Sequence, residues 1–93
     1  MERDIEQALI SQVKNAGGLC LKFVSPGWAG APDRICLFPG GRIVFVELKD
    51  TGKKARPLQQ ARHRQLRKLG FCVEVVDGKE QIHGLLDRLL SWR

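Results

Sequence analysis

At 93 residues, with 28% charged and 43% hydrophobic side chains, the chain has the size and balance of one folded domain, which excludes a disordered polymer. No apolar run approaches the roughly 20 residues that cross a bilayer, and the acidic start Met1-Glu2-Arg3-Asp4 is unlike a signal peptide, so a cytoplasmic location is expected. The net charge of +6 is unevenly placed: the first 46 residues hold five Lys/Arg against four Asp/Glu, and the remainder eleven against six.

Asp4 to Ala16 reads as an amphipathic helix, because Ile5, Ala8, Leu9, Val13 and Ala16 recur at helical spacing and Gly17-Gly18 ends the run. Leu19 to Val24 reads as a strand, and the residues from Ser25 to Pro32 as a loop by their Gly, Pro and Ala content. Asp33 to Phe38 and Arg42 to Lys49 are the next two strands. The tight turn Pro39-Gly40-Gly41 between them makes an antiparallel hairpin. A polar, basic connector, Asp50 to Arg56, leads to a helix that Pro57 opens and Gly70 caps after Leu69. Phe71 to Val76 is a fourth strand. After Asp77-Gly78, Lys79 to about Ser91 forms the last helix, with Ile82, Leu85, Leu86, Leu89 and Leu90 as its apolar face. The order is αβββαβα in a single domain, 1–93. Cys20, Cys36 and Cys72 are odd in number and set in apolar segments, which marks them as core residues and not as a disulfide or zinc framework.

The third strand carries the chemistry. Ile43 and Phe45 share one face and Val44, Val46 and Leu48 the other, so the strand is central and covered on both sides. Glu47 and Lys49 end it on one face, two residues apart. Asp33 opens the strand before it, and pairing of the two runs brings Asp33, Glu47 and Lys49 to one end of the sheet. Two carboxylates and an ammonium gathered there suit a divalent cation and a phosphodiester. Taken alone, the triplet Glu47-Leu48-Lys49 also fits an ordinary ion pair where a strand surfaces.

From Lys49 to Lys68 there are eight basic side chains and one acid, Asp50. Such a stripe suits a polyanion, since each neutralised phosphate releases counterions. A solvated helix face explains an isolated stripe as well. Beside a phosphodiester site, the nucleic-acid reading gains weight.

The ordered set Glu6, Pro32-Asp33, Glu47-Leu48-Lys49 and Gln59 resembles the PD-(D/E)XK, restriction-endonuclease-like superfamily. Gly17-Gly18, Lys22-Phe23-Val24-Ser25-Pro26, Gly30-Ala31-Pro32-Asp33-Arg34, Phe45-Val46 and Pro57-Leu58-Gln59 narrow the resemblance to the VRR-NUC nucleases, over about Ile5 to Leu86. It implies an α/β fold with a mixed central sheet flanked by helices. It also implies a phage or bacterial protein, acting in the cytoplasm of a bacterial cell or phage-infected host.

Carried onto this chain, the resemblance makes Asp33 and Glu47 metal-binding carboxylates and adds the backbone carbonyl of Leu48 as a ligand. Hard oxygen ligands suit Mg²⁺ or Mn²⁺. Lys49 matches the catalytic lysine, Glu6 an acid reaching the metal through water or at a second position, and Gln59 a supporting glutamine. Read from the residues alone, Glu6 is also a rim position of its helix, Asp33 has Arg34 beside it for an ion pair, and Gln60 leaves the glutamine register open. His63 and His83 have no partner at metal spacing and read as surface or interface residues.

Lys53, Lys54, Arg56 and Arg62 are candidate DNA contacts. Trp28, in the loop before Asp33, either stacks on a base or folds back onto the domain. No base-reading motif is present, so shape is the expected determinant. Small size and the resemblance together imply a homodimer, with the last helix and Trp92 as one candidate interface. The reading that follows is a Mg²⁺/Mn²⁺-dependent endodeoxyribonuclease acting on branched DNA, four-way junctions first. The alternatives are a flap or nicking nuclease without junction preference, and a catalytically inert basic DNA-binding module.

Overall fold

The computed structural model describes residues 1–90; Ser91, assigned above to the last helix, and Trp92, named as part of its interface, lie outside the described residues. The elements are α1 (Glu2–Asn15), β1 (Leu19–Lys22), β2 (Arg34–Phe38), β3 (Arg42–Leu48), α2 (Pro57–Lys68), β4 (Cys72–Val76) and α3 (Glu80–Leu90). The αβββαβα order is the expected one. Helix α1 starts two residues earlier than periodicity indicated, because Met1 O accepts the N–H groups of Asp4 and Ile5 and Glu2 and Asp4 suit the positive end of the helix. At its other end Gly17 adopts φ +86°, a conformation that favours glycine, and turns the chain into β1.

The four strands lie in the order β1-β2-β3-β4. β1 and β2 pair antiparallel, as do β2 and β3, whereas β3 and β4 pair parallel with Glu47 opposite Val75. The sheet is mixed, as the restriction-endonuclease-like fold requires. Strand β1 is shorter than expected, ending at Lys22; a single further bond, Phe23 N–H to Asp33 O at 2.9 Å, follows it. Asp33 and Lys49 therefore stand just outside the strands they were assigned to, on the chain segments leaving the sheet.

Strand parity decides which helix covers which face. Val44, Val46 and Leu48 pack with Ile5, Leu9 and Val13 of α1 and Ile82, Leu85 and Leu86 of α3. Phe45 packs with Leu66 of α2 and Val73 on the other face. A buried side chain of this size contributes about 1.5–3 kcal/mol, so both faces reward the same register. Ile82, Leu85 and Leu86 of the α3 ladder are thus spent on the protein's own core, with Leu89 and Leu90 partly buried against it. Cys36 is buried, Cys20 and Cys72 are half-buried, and all three thiols are free.

Candidate active site

Glu47 follows Phe45 on the α2 side of the sheet, so β3 drives its carboxylate under a helix instead of into solvent. It is 1% exposed. Unpaired burial of this kind costs several kcal/mol, and α2 supplies the partners. Gln59 Nε2 donates to Glu47 Oε2 at 3.1 Å, and His63 Nε2 lies 3.3 Å from Oε1. The amide of Gln59 has a set direction, because its Oε1 accepts the Arg56 N–H at 2.8 Å where the helix begins.

Asp33 enters from the loop before β2, and its Oδ2 accepts the N–H of Leu48 at 2.9 Å. The N–H of Lys49 goes to Val76 O at 3.0 Å, which pins the end of β3 to β4. Asp33, Glu47 and Lys49 therefore converge as the sequence indicated. Burial, followed by a hydrogen bond to Asp33 and the charge of Asp33, pushes the Glu47 carboxyl up to about 8, against the opposing charges of Lys49 and Arg56. A buried carboxyl whose charged form is disfavoured beside a second carboxylate marks a position where a cation is favoured.

The donor set fits a hard divalent cation: two carboxylates brought together at a strand end. Among the described residues no group of three or more His, Cys, Asp and Glu side chains gathers as a metal cluster. The structure does not bring Glu6 to the Asp33–Glu47 pair. Its Oε2 accepts from Nε and Nη2 of Arg34 at 3.3 and 3.1 Å, while Arg34 Nη1 also reaches Cys20 O at 3.5 Å. Register explains this, since Arg34 lies opposite Val46 and so faces α1, away from Glu47.

His63 is the residue that sequence reasoning misplaced. It is not a surface or interface residue; it is 2% exposed and sits against Glu47. Burial, together with the charge of Arg67, lowers its pKa, against the pull of Asp33, and the neutral ring follows. A signal was available: Gln59, His63 and Leu66 are spaced four and three apart, one continuous stripe of α2. His83, by contrast, is exposed and pairs with Asp87 one turn away at 3.3 Å.

The candidate DNA contacts divide into two groups. Lys53, Lys54 and Arg56 are exposed on the connector that leaves the site. That connector is shaped by Lys53 N–H to Asp50 O at 2.9 Å and Gly52 N–H to Asp77 Oδ2 at 3.1 Å. Trp28 and Arg62 instead hold the loop before Asp33. Trp28 packs on the Phe45–Leu66–Val73 cluster. The Arg62 guanidinium lies 5.0 Å from its ring centroid, and Arg62 Nε donates to Ala29 O at 2.8 Å. Gly30, at φ +84°, lets this loop pass α2, where a Cβ would stand 2.9 Å from Leu58 Cγ. A groove of about 900 Å³ lined by Arg42, Ile43, Phe71 and Leu89 lies at the far end of β3 and contains none of these groups.

No protein-family model matches the chain. The chain is 46% identical over 79 residues to "Putative nuclease p44" of Acyrthosiphon pisum secondary endosymbiont phage 1, covering 85% of each protein. A solved structure of a VRR_NUC domain superposes with a TM-score of 0.87 at 34% identity, over 92% of this chain and 94% of that one. A second, a VRR_NUC domain protein, superposes at 0.67 over 94% and 85%, and at 23% identity it speaks for the fold alone.

Proposed function

The chain belongs to the VRR-NUC family of nucleases, and from that premise we propose that it is a metal-dependent, structure-selective DNA endonuclease. The observation that carries the proposal is the convergence of Asp33, hydrogen-bonded to the Leu48 N–H, with the buried Glu47 at the end of β3 that Lys49 follows. Asp33, Glu47 and the carbonyl of Leu48 would hold Mg²⁺ or Mn²⁺, which supplies Lewis acidity at the scissile phosphate and a more acidic bound water. Lys49 contributes a positive charge where the phosphate becomes more negative. Gln59 keeps Glu47 aimed, and the Arg34–Glu6 pair braces the residue next to Asp33.

Lys53, Lys54 and Arg56 then continue the positive surface from the site along the backbone of the substrate. Branched DNA, and four-way junctions in particular, is the substrate we propose, cut by a homodimer whose twofold axis matches that of the junction. The exposed Leu19, Leu21 and Val24 on and beside the edge strand β1 support a partner there. The phage relative supports action in the cytoplasm of a bacterial cell or phage-infected host.

Purified protein incubated with Mg²⁺ or Mn²⁺ and labelled junction, flap, duplex and single-stranded DNA tests this. Selective junction cleavage supports the proposal in full. Equal cutting of all substrates removes the junction preference, and flap-only cutting favours a flap nuclease. Binding without cleavage under either metal makes the chain an inert DNA-binding module.

A further inference from the structure

We infer that His63 is a positioning residue for the nuclease site, holding the Glu47 carboxylate in the orientation that lets it share a cation with Asp33. The inference rests on the nuclease reading above and adds to it a residue outside the acid–acid–lysine set.

The geometry is a two-point brace. Gln59 and His63 stand one helical turn apart on α2 and take one oxygen each of the same carboxylate, at 3.1 and 3.3 Å. A single donor leaves a carboxylate free to swing about its terminal torsion, which is broad. Two contacts from one rigid helix fix its plane, His63 donating in the tautomer that carries its proton on Nε2. Each oxygen keeps a second lone pair beyond the one that Gln59 or His63 occupies. Burial strengthens the brace, since both His63 and Glu47 are closed off from competing water.

The residue type matters as much as the place. A lysine or arginine at 63 would cancel the negative charge a cation needs. An imidazole with its proton on Nε2 donates without adding charge, and its ring fills the space between Glu47 and the apolar end of the stripe at Leu66. Groups that hold a metal-binding carboxylate from behind typically change metal affinity or activity by about 10–100-fold when lost.

The test compares full-length wild type with His63→Phe and His63→Leu, which fill the space without a donor, and with His63→Gln, which restores one. Mn²⁺ binding is read by calorimetry and electron paramagnetic resonance, and folding by circular dichroism. We expect both non-donor variants to bind Mn²⁺ about 10–100-fold more weakly, with unchanged affinity for junction DNA in EDTA and with His63→Gln recovering most of the loss. Whichever non-donor variant folds decides the matter; should neither fold, equal Mn²⁺ affinity of wild type and His63→Asn, whose shorter amide falls short of Glu47, overturns the inference. Wild-type Mn²⁺ affinity in a folded non-donor variant likewise overturns it. If wild type binds Mn²⁺ but cuts no DNA, the nuclease reading fails, while the Mn²⁺ comparison still decides the role of His63.

Discussion

Asp33 and Leu48 are joined by a 2.9 Å hydrogen bond from the Leu48 N–H to Asp33 Oδ2, across a sequence separation of 15 residues. That bond ties the loop side of the site to its strand side and leaves Oδ1 of Asp33 for other partners. It also gives Asp33 a structural duty beside the chemical one proposed for it, and the two can be separated by substitution.

Asp33→Asn keeps an oxygen that accepts the Leu48 N–H but loses the charge. Its urea midpoint should stay near wild type while cleavage falls by about 10³-fold, the equivalent of several kcal/mol of charge stabilisation. Asp33→Ala should lose cleavage equally and stability by a further ~1–3 kcal/mol, because a main-chain donor is left unpaired. Equal stability of the two variants would show the hydrogen bond to be unimportant.

Glu47 links the site to pH. Its folded-state pKa, raised to about 8 from an ordinary 4.5, makes a contribution to stability that is complete below the ordinary value. That contribution is lost as pH rises through about 8, because only the unfolded chain gives up the proton early. In EDTA, wild type should therefore lose stability relative to Glu47→Gln between these values, and Mg²⁺ should restore it by replacing the proton. The variant should cut no DNA. Parallel melting-temperature profiles for the two proteins from pH 4 to pH 9 would contradict the raised pKa of Glu47.

Arg62→Ala should release the loop before Asp33, losing the bond to Ala29 O and the stacking on Trp28. A destabilisation of about 1–2 kcal/mol is expected for a half-exposed pair of such contacts. Urea denaturation and faster proteolysis within 25–31 would report it. A variant with wild-type stability and weakened DNA binding would instead assign Arg62 to the substrate.

Lys53, Lys54 and Arg56 should each behave as phosphate contacts. Alanine at any one of them should weaken DNA binding uniformly across sequences and reduce the log–log salt slope by about 1. An unchanged slope for all three would place the substrate on another surface.

Element order, both apolar faces of β3 and the convergence of Asp33, Glu47 and Lys49 were legible in the chain itself. Each follows from local rules. Apolar spacing distinguishes helix from strand, a Pro-Gly-Gly turn brings β2 back onto β3, and strand parity puts Glu47 with Phe45. The positions of Glu6 and His63 were not legible in the same way, although both lie on clear helices. Each depends on which face of the sheet its helix covers.

That choice is non-local. The sequence by itself determined the elements and the meeting of Asp33, Glu47 and Lys49 at one end of the sheet, because backbone sterics and burial period act within a few residues. Only the tertiary structure decided that α1 lies opposite the Glu47 face and hands Glu6 to Arg34, and that α2 covers that face and seats His63 on Glu47. It likewise turned Trp28 and Arg62 toward each other to hold a loop. The physical reason is that a buried polar side chain is satisfied by whatever donor packing brings within about 3 Å, and packing partners come from distant parts of the chain.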